Sequence, residues 1–90
     1  MTEQRVQEIE KLLEAALSPS YLLVKDQSHL HAGHAGAKEG KGHFEVIVVS
    51  DTFGGLNRIA RHRLVYDALG NFMNSDIHAL QINAFTPSER

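Results

Sequence analysis

Between residues 3 and 17, apolar side chains recur at steps of three and four: Val6, Ile9, Leu13, then Ala16 and Leu17. This spacing predicts an amphipathic helix with one buried stripe. Thr2 stands at the N-cap position, and Glu3 lies beside the positive helix end. Ser18-Pro19 marks the stop, because proline restricts the residue before it and cannot continue the ladder. The other positions carry four glutamates against Arg5 and Lys11, as expected of a solvated outer face. Tyr21-Leu22-Leu23-Val24 predicts a short strand. His43 to Ser50, dense in β-branched residues, predicts a strand buried on much of both faces. Their closeness in the chain predicts an antiparallel pair. The connection, residues 26–42, holds four glycines and three histidines and is long for a hairpin, which marks functional loops.

After Ser50 the pattern changes again. Asp51 to Leu56, with Gly54-Gly55, predicts a turn. Residues 58–73 predict a basic helical stretch with Ile59, Val65, Ala68, Leu69, Phe72 and Met73 on its apolar face, divided in the Asn57 region if it is two helices. Asn74-Ser75-Asp76 ends it. Ile77 to Phe85 shows the partial alternation of a third strand, and residues 86–90 form a polar tail. The order α-β-β-α-β, with three strands and helices on one face, is an α+β sandwich. Val46, Val48, Leu64, Leu69, Leu80 and Ile82 are its expected core.

Composition sharpens this picture at a few points. Ninety residues allow one small domain, taken as 1–90. The chain has no cysteine, so disulfides, thiolate catalysis and a self-contained thiolate metal centre are excluded. A net charge of −2 gives no strong sequence-independent grip on nucleic acid. No apolar run approaches the roughly 20 residues of a membrane helix, and the polar, acidic N-terminus is unlike a signal peptide. We expect a cytoplasmic protein without a membrane partner, the isolated chain a monomer or weak dimer.

Six histidines are the unusual feature. His29, His31, His34 and His43 fall within fifteen residues, on or beside the glycine-rich connection. Imidazole suits zinc, copper and iron, yet a solvated polar loop has the same composition. His62 and Tyr66 share a helix face, and His78 opens the last strand on the side of Leu80 and Ile82. Arg58, Arg61 and Arg63 gather positive charge at a helix start, against the dipole's preference. Either Arg58 and Arg61 pair with Asp51 or Asp67, or the cluster meets an external anion. No H-E-x-x-H, G-x-S-x-G or Walker A sequence occurs, and Ser50-Asp51 is read as a strand end and turn.

Three motifs spanning nearly the whole chain resemble the BolA-like family. They are Phe53-Gly54-Gly55 followed by Arg61-His62-Arg63-Leu64-Val65-Tyr66; Ile77-His78-Ala79-Leu80; and the loop from Ser28 to Gly36 closed by Gly42-His43-Phe44. The resemblance implies an αββααβ fold similar to a type II KH domain. It implies a non-enzymatic iron–sulfur adaptor that pairs with a monothiol glutaredoxin and shares a [2Fe–2S] cluster with it and with glutathione. None would be held by the isolated chain. The implied ligands are His34, with His31 as the alternative, and His78. The alternative role is a DNA-binding transcriptional regulator using the helix-turn-helix-like half, with Arg58, Arg61 and Arg63 on phosphates. The Gly54-Gly55 turn lacks the second glycine, at the required spacing, of the G-x-x-G loop of RNA-binding KH domains.

Overall fold

A computed structural model of the protein describes residues 2–27 and 42–90. Helix α1 (Thr2–Leu17) is followed by strands β1 (Tyr21–Asp26) and β2 (Gly42–Val49). A 3-10 turn (Asp51–Phe53) leads into helix α2 (Arg58–Leu69), the short helix α3 (Phe72–Ser75) and strand β3 (Ile77–Phe85). A second 3-10 turn occupies Pro87–Glu89 within the predicted polar tail. The sheet order is β1-β2-β3. As expected, β1 and β2 are antiparallel; β3 joins the other edge of β2 in parallel.

The periodicities explain the layers. Ile9, Leu13 and Leu17 of α1 and Val65 and Leu69 of α2 pack with Val24, Phe44, Val46, Val48 and Ile82 in one core. Those strand residues alternate, so both helices cover the same sheet face. Ala16 points outward, leaving Leu17 as the last rung of the α1 stripe. Leu64 and Leu80, expected inside, are half-buried at the core margin. Phe53 is completely buried beneath the 3-10 turn.

The basic stretch departs from its expected form in two ways. Its break falls at Gly70, not near Asn57. Gly70 has φ 56° and ψ −133°, and its N–H donates to the Tyr66 carbonyl at 2.9 Å, ending α2. Asn57 instead caps α2, its Oδ1 accepting from the Ala60 N–H at 2.8 Å. Second, Ile59 is 66% exposed and is not part of the apolar face. The mixture of three arginines and a histidine with scattered apolar residues leaves α2 almost without amphipathic contrast; only Val65 and Leu69, one turn apart, fix its buried line.

Long-range polar contacts lock the elements. The buried Ser50 hydroxyl donates to the Leu17 carbonyl at 2.6 Å and accepts from the Thr52 N–H at 3.1 Å. It satisfies one of the orphan carbonyls at the end of α1. This is the strand-end role expected of Ser50. Arg5 of α1 pairs with Asp76 at 3.0 Å. The Ser75 hydroxyl and Arg5 together hold the Asp76 carboxyl below its ordinary range.

Candidate functional site

The sheet brings His43 and His78 together at one end. His43 lies on central β2 and is 6% exposed; His78 is exposed on β3. Their ring centroids are 5.0 Å apart with planes tilted by 55°. The cause is a fault in the ladder. Gly42 pairs with Ile77 and His43 with Ala79, which makes His78 the extra residue of a β-bulge. A bulge bends its strand and re-aims a side chain. It also shifts the alternation by one: Ile77 is buried, and the core positions resume at Leu80 and Ile82. His78 therefore does not follow Leu80 and Ile82 toward the core, as strict alternation from the sequence implied.

The 28–41 segment leaves from this end of the sheet and returns to it. The Gln27 N–H donates to the His43 carbonyl at 2.8 Å, and the Gly42 N–H to the Asp76 carbonyl at 2.9 Å. His29, His31 and His34, and with them the loop ligand candidates, lie outside the described residues. Among the described residues no three His, Cys, Asp or Glu side chains gather as one metal ion requires. This end offers the imidazole of His78 with that of His43 beside it. Imidazole is a suitable iron donor, but four donors complete a [2Fe–2S] cluster, most often thiolates. This sequence has no cysteine, so thiolates for such a cluster would have to come from another molecule.

The arginines separate at the opposite end of β3. Arg58 and Arg63 are exposed and have no ion pair among the described residues. Arg61 turns inward. Its Nε donates to the Leu56 carbonyl at 2.8 Å and its Nη1 to the Ala84 carbonyl at 3.1 Å. Nη1 and Nη2 grip both carboxylate oxygens of Glu89, at 2.6 and 2.9 Å. Glu89 is fixed in turn by a capping box, the Thr86 N–H donating to Oε1 at 2.9 Å. The Arg61 hydrogen bonds, with that from the Thr86 backbone, push the Glu89 carboxyl down to about 2. The same pair raises Arg61 above its ordinary value. The partner is thus neither Asp51 nor Asp67. The local signal for it was Thr86-Pro87-Ser88-Glu89, a capping-box sequence with proline at the first helical position. His43 was visible as one of a run of histidines, but its contact with His78 needed the register.

The BolA-like protein family model matches residues 13–89. The chain is 42% identical over 90 residues to the chloroplastic protein BOLA1 of Arabidopsis thaliana, covering 97% of this chain and 56% of that protein. It is 38% identical over 81 residues to the DNA-binding transcriptional regulator BolA of Escherichia coli (strain K12), covering 90% of this chain and 74% of the relative. Among solved structures, the BolA domain of SufE1 from Arabidopsis thaliana superposes with a TM-score of 0.85 at 44% identity, over 96% of this chain and 95% of that one. The fold and the paired motifs define a BolA-type α+β domain, and the chain belongs to the BolA-like family. It spans little more than half the length of the chloroplastic relative.

Proposed function

We propose that this protein is a non-enzymatic iron–sulfur adaptor. It offers His78, together with His34 or His31 of the 28–41 segment, to a [2Fe–2S] cluster shared with a monothiol glutaredoxin and glutathione. The observation that carries this reading is the β-bulge at His78. It turns the His78 side chain away from the core that Ile77, Leu80 and Ile82 of the same strand feed, at the sheet end where the histidine-bearing segment is anchored. A non-regular ladder step costs backbone pairing, and bulges recur beside functional sites. His43 backs the His78 ring and limits its orientations. The chemistry of the donor set agrees: imidazoles on this chain, thiolates from the partner and from glutathione. Mixing the purified protein with a monothiol glutaredoxin, glutathione, iron and sulfide should give visible absorption and circular dichroism distinct from the glutaredoxin homodimer. A spectrum identical to that homodimer contradicts the reading.

A second reading, duplex DNA binding, is favoured by the exposure of Arg58 and Arg63 on α2 and by the similarity to bacterial relatives named as DNA-binding transcriptional regulators. Arg61, engaged with Glu89, drops out of its contact set.

A further inference from the structure

β3 is an edge strand: β2 pairs with one side and no strand pairs with the other among the described residues. The direction of its backbone groups follows from two contacts. The Phe85 carbonyl accepts from the Ser50 N–H, toward the β2 side, whereas the Ala84 carbonyl accepts from Arg61 on the outer side. Backbone groups alternate along a strand. Leu80 and Ile82 therefore present their N–H and C=O groups to the open edge, in phase with Ala84. Edges of this kind are normally blunted by charge, proline or a bulge. Here the bulge lies at His78 and the proline at Pro87, beyond both ends of the Leu80–Ala84 stretch.

Along this stretch runs a groove of about 620 Å³ between β3 and the first turns of α2, lined by Leu56, Arg58, His62 and Gln81 to Phe85. Its floor is half-apolar. Its cationic group without an ion pair among the described residues is Arg58. Also lining it, the carboxylate of Glu89 already sits on Arg61, which neutralises that arginine. One uncompensated arginine is a small footprint for a phosphate backbone, which rewards many cations. It is adequate for one carboxylate.

We infer that the open edge of β3 is a docking site for an extended peptide segment of a partner protein, added as a fourth strand along Leu80–Asn83 up to the Ala84 carbonyl that Arg61 occupies, with an acidic side chain meeting Arg58. Main-chain hydrogen bonds supply the affinity and the groove beside α2 reads alternate side chains. This goes beyond the iron–sulfur reading and does not rest on it: Ile82 lies about 13 Å along the strand from His78.

The test is a nitrogen-15 amide titration of the full chain with a capped threonine–valine–aspartate–valine–threonine–valine peptide. We expect saturable shifts at the Leu80 and Ile82 amides and around Arg58 and His62. N-methylation of the peptide's valines should weaken binding about tenfold, the scale of one or two lost hydrogen bonds. Replacing its aspartate by lysine, or Arg58→Glu in the protein, should weaken binding about threefold or more, as expected for one charge contact. Arg58 is exposed, so the folded circular dichroism of that variant should match wild type. No saturation at millimolar peptide overturns the proposal, as does equal binding of the N-methylated peptide. It is also overturned if single-stranded oligothymidylate shifts these amides at lower concentration, or if they move on simple dilution, which would assign the edge to nucleic acid or to a second copy.

Discussion

Truncating Leu69 or Phe53 to alanine removes side chains that water does not reach, whereas truncating Ile59 removes one that water surrounds. The expected costs differ accordingly. Leu69→Ala should lose about 2–5 kcal/mol and Phe53→Ala about 3–5 kcal/mol, through lost transfer energy and the cavity left behind. Ile59→Ala should stay within about 0.5 kcal/mol. Denaturant unfolding of the three variants checks the ordering; a large loss at Ile59 would place it inside. Arg61 and Glu89 make a different kind of demand. The Glu89 carboxyl is lowered from about 4.5 to about 2 on folding. A depressed carboxyl stabilises the fold above its unfolded value, and that contribution fades as pH falls toward the folded value. The melting-temperature gap between wild type and Glu89→Gln should therefore be constant near neutrality, shrink below about pH 4.5 and close near pH 2. A gap unchanged at pH 2 would mean that the charge of Glu89 is irrelevant to the fold.

Gly70 separates α2 from α3 in a conformation open to glycine and strained for other residues. A Cβ there would meet the Asp67 carbonyl at 3.9 Å, an ordinary contact, so the penalty of Gly70→Ala is backbone strain alone. About 1–3 kcal/mol is expected, measured by denaturant unfolding. A neutral result would show that the α2–α3 junction relaxes freely. The elements whose signal is local were legible in the sequence: α1 from the Val6-Ile9-Leu13 spacing, β2 from its β-branched run, β3 to its boundaries. The elements that depend on tertiary pairing were not. Nothing within α2 distinguishes the exposed Ile59 from the buried Val65, because that choice is made by where α1 and the sheet lie. The phase slip at His78 had a trace, since Ile77 and Leu80 are both apolar three positions apart, which strict alternation forbids. His78 was legible as a candidate through its motif. Its turn toward His43 was not, because a bulge is defined only against the partner strand.

At the scale of the whole molecule, β3 links two chemically different ends. His78, His43 and both anchors of the 28–41 segment gather at its start; Arg58, Arg61 and Glu89 gather at its finish. With Arg61 turned inward, duplex DNA would find two phosphate contacts, at Arg58 and Arg63. Binding, followed by fluorescence anisotropy, should then show a log–log salt slope of about −1.8. A slope much steeper, or one that Arg61→Gln lowers without unfolding the protein, would contradict the inward assignment. The histidine end carries the central claim. The most direct measurement is visible circular dichroism of the complex reconstituted with a monothiol glutaredoxin, comparing wild type, His78→Ala, His34→Ala and the His31→Ala/His34→Ala double variant. His78 lies between Ile77 and Ala79, which both pair with β2, and its ring stands against His43, whereas His31 lies three positions from His34 in the sequence and can stand in for it. His78→Ala should lose the heterocomplex spectrum while apo association with the glutaredoxin survives. His34→Ala should weaken the spectrum less, and the double variant should match the loss at His78. A wild-type spectrum in His78→Ala would contradict the assignment of this end of the sheet as the cluster-binding face.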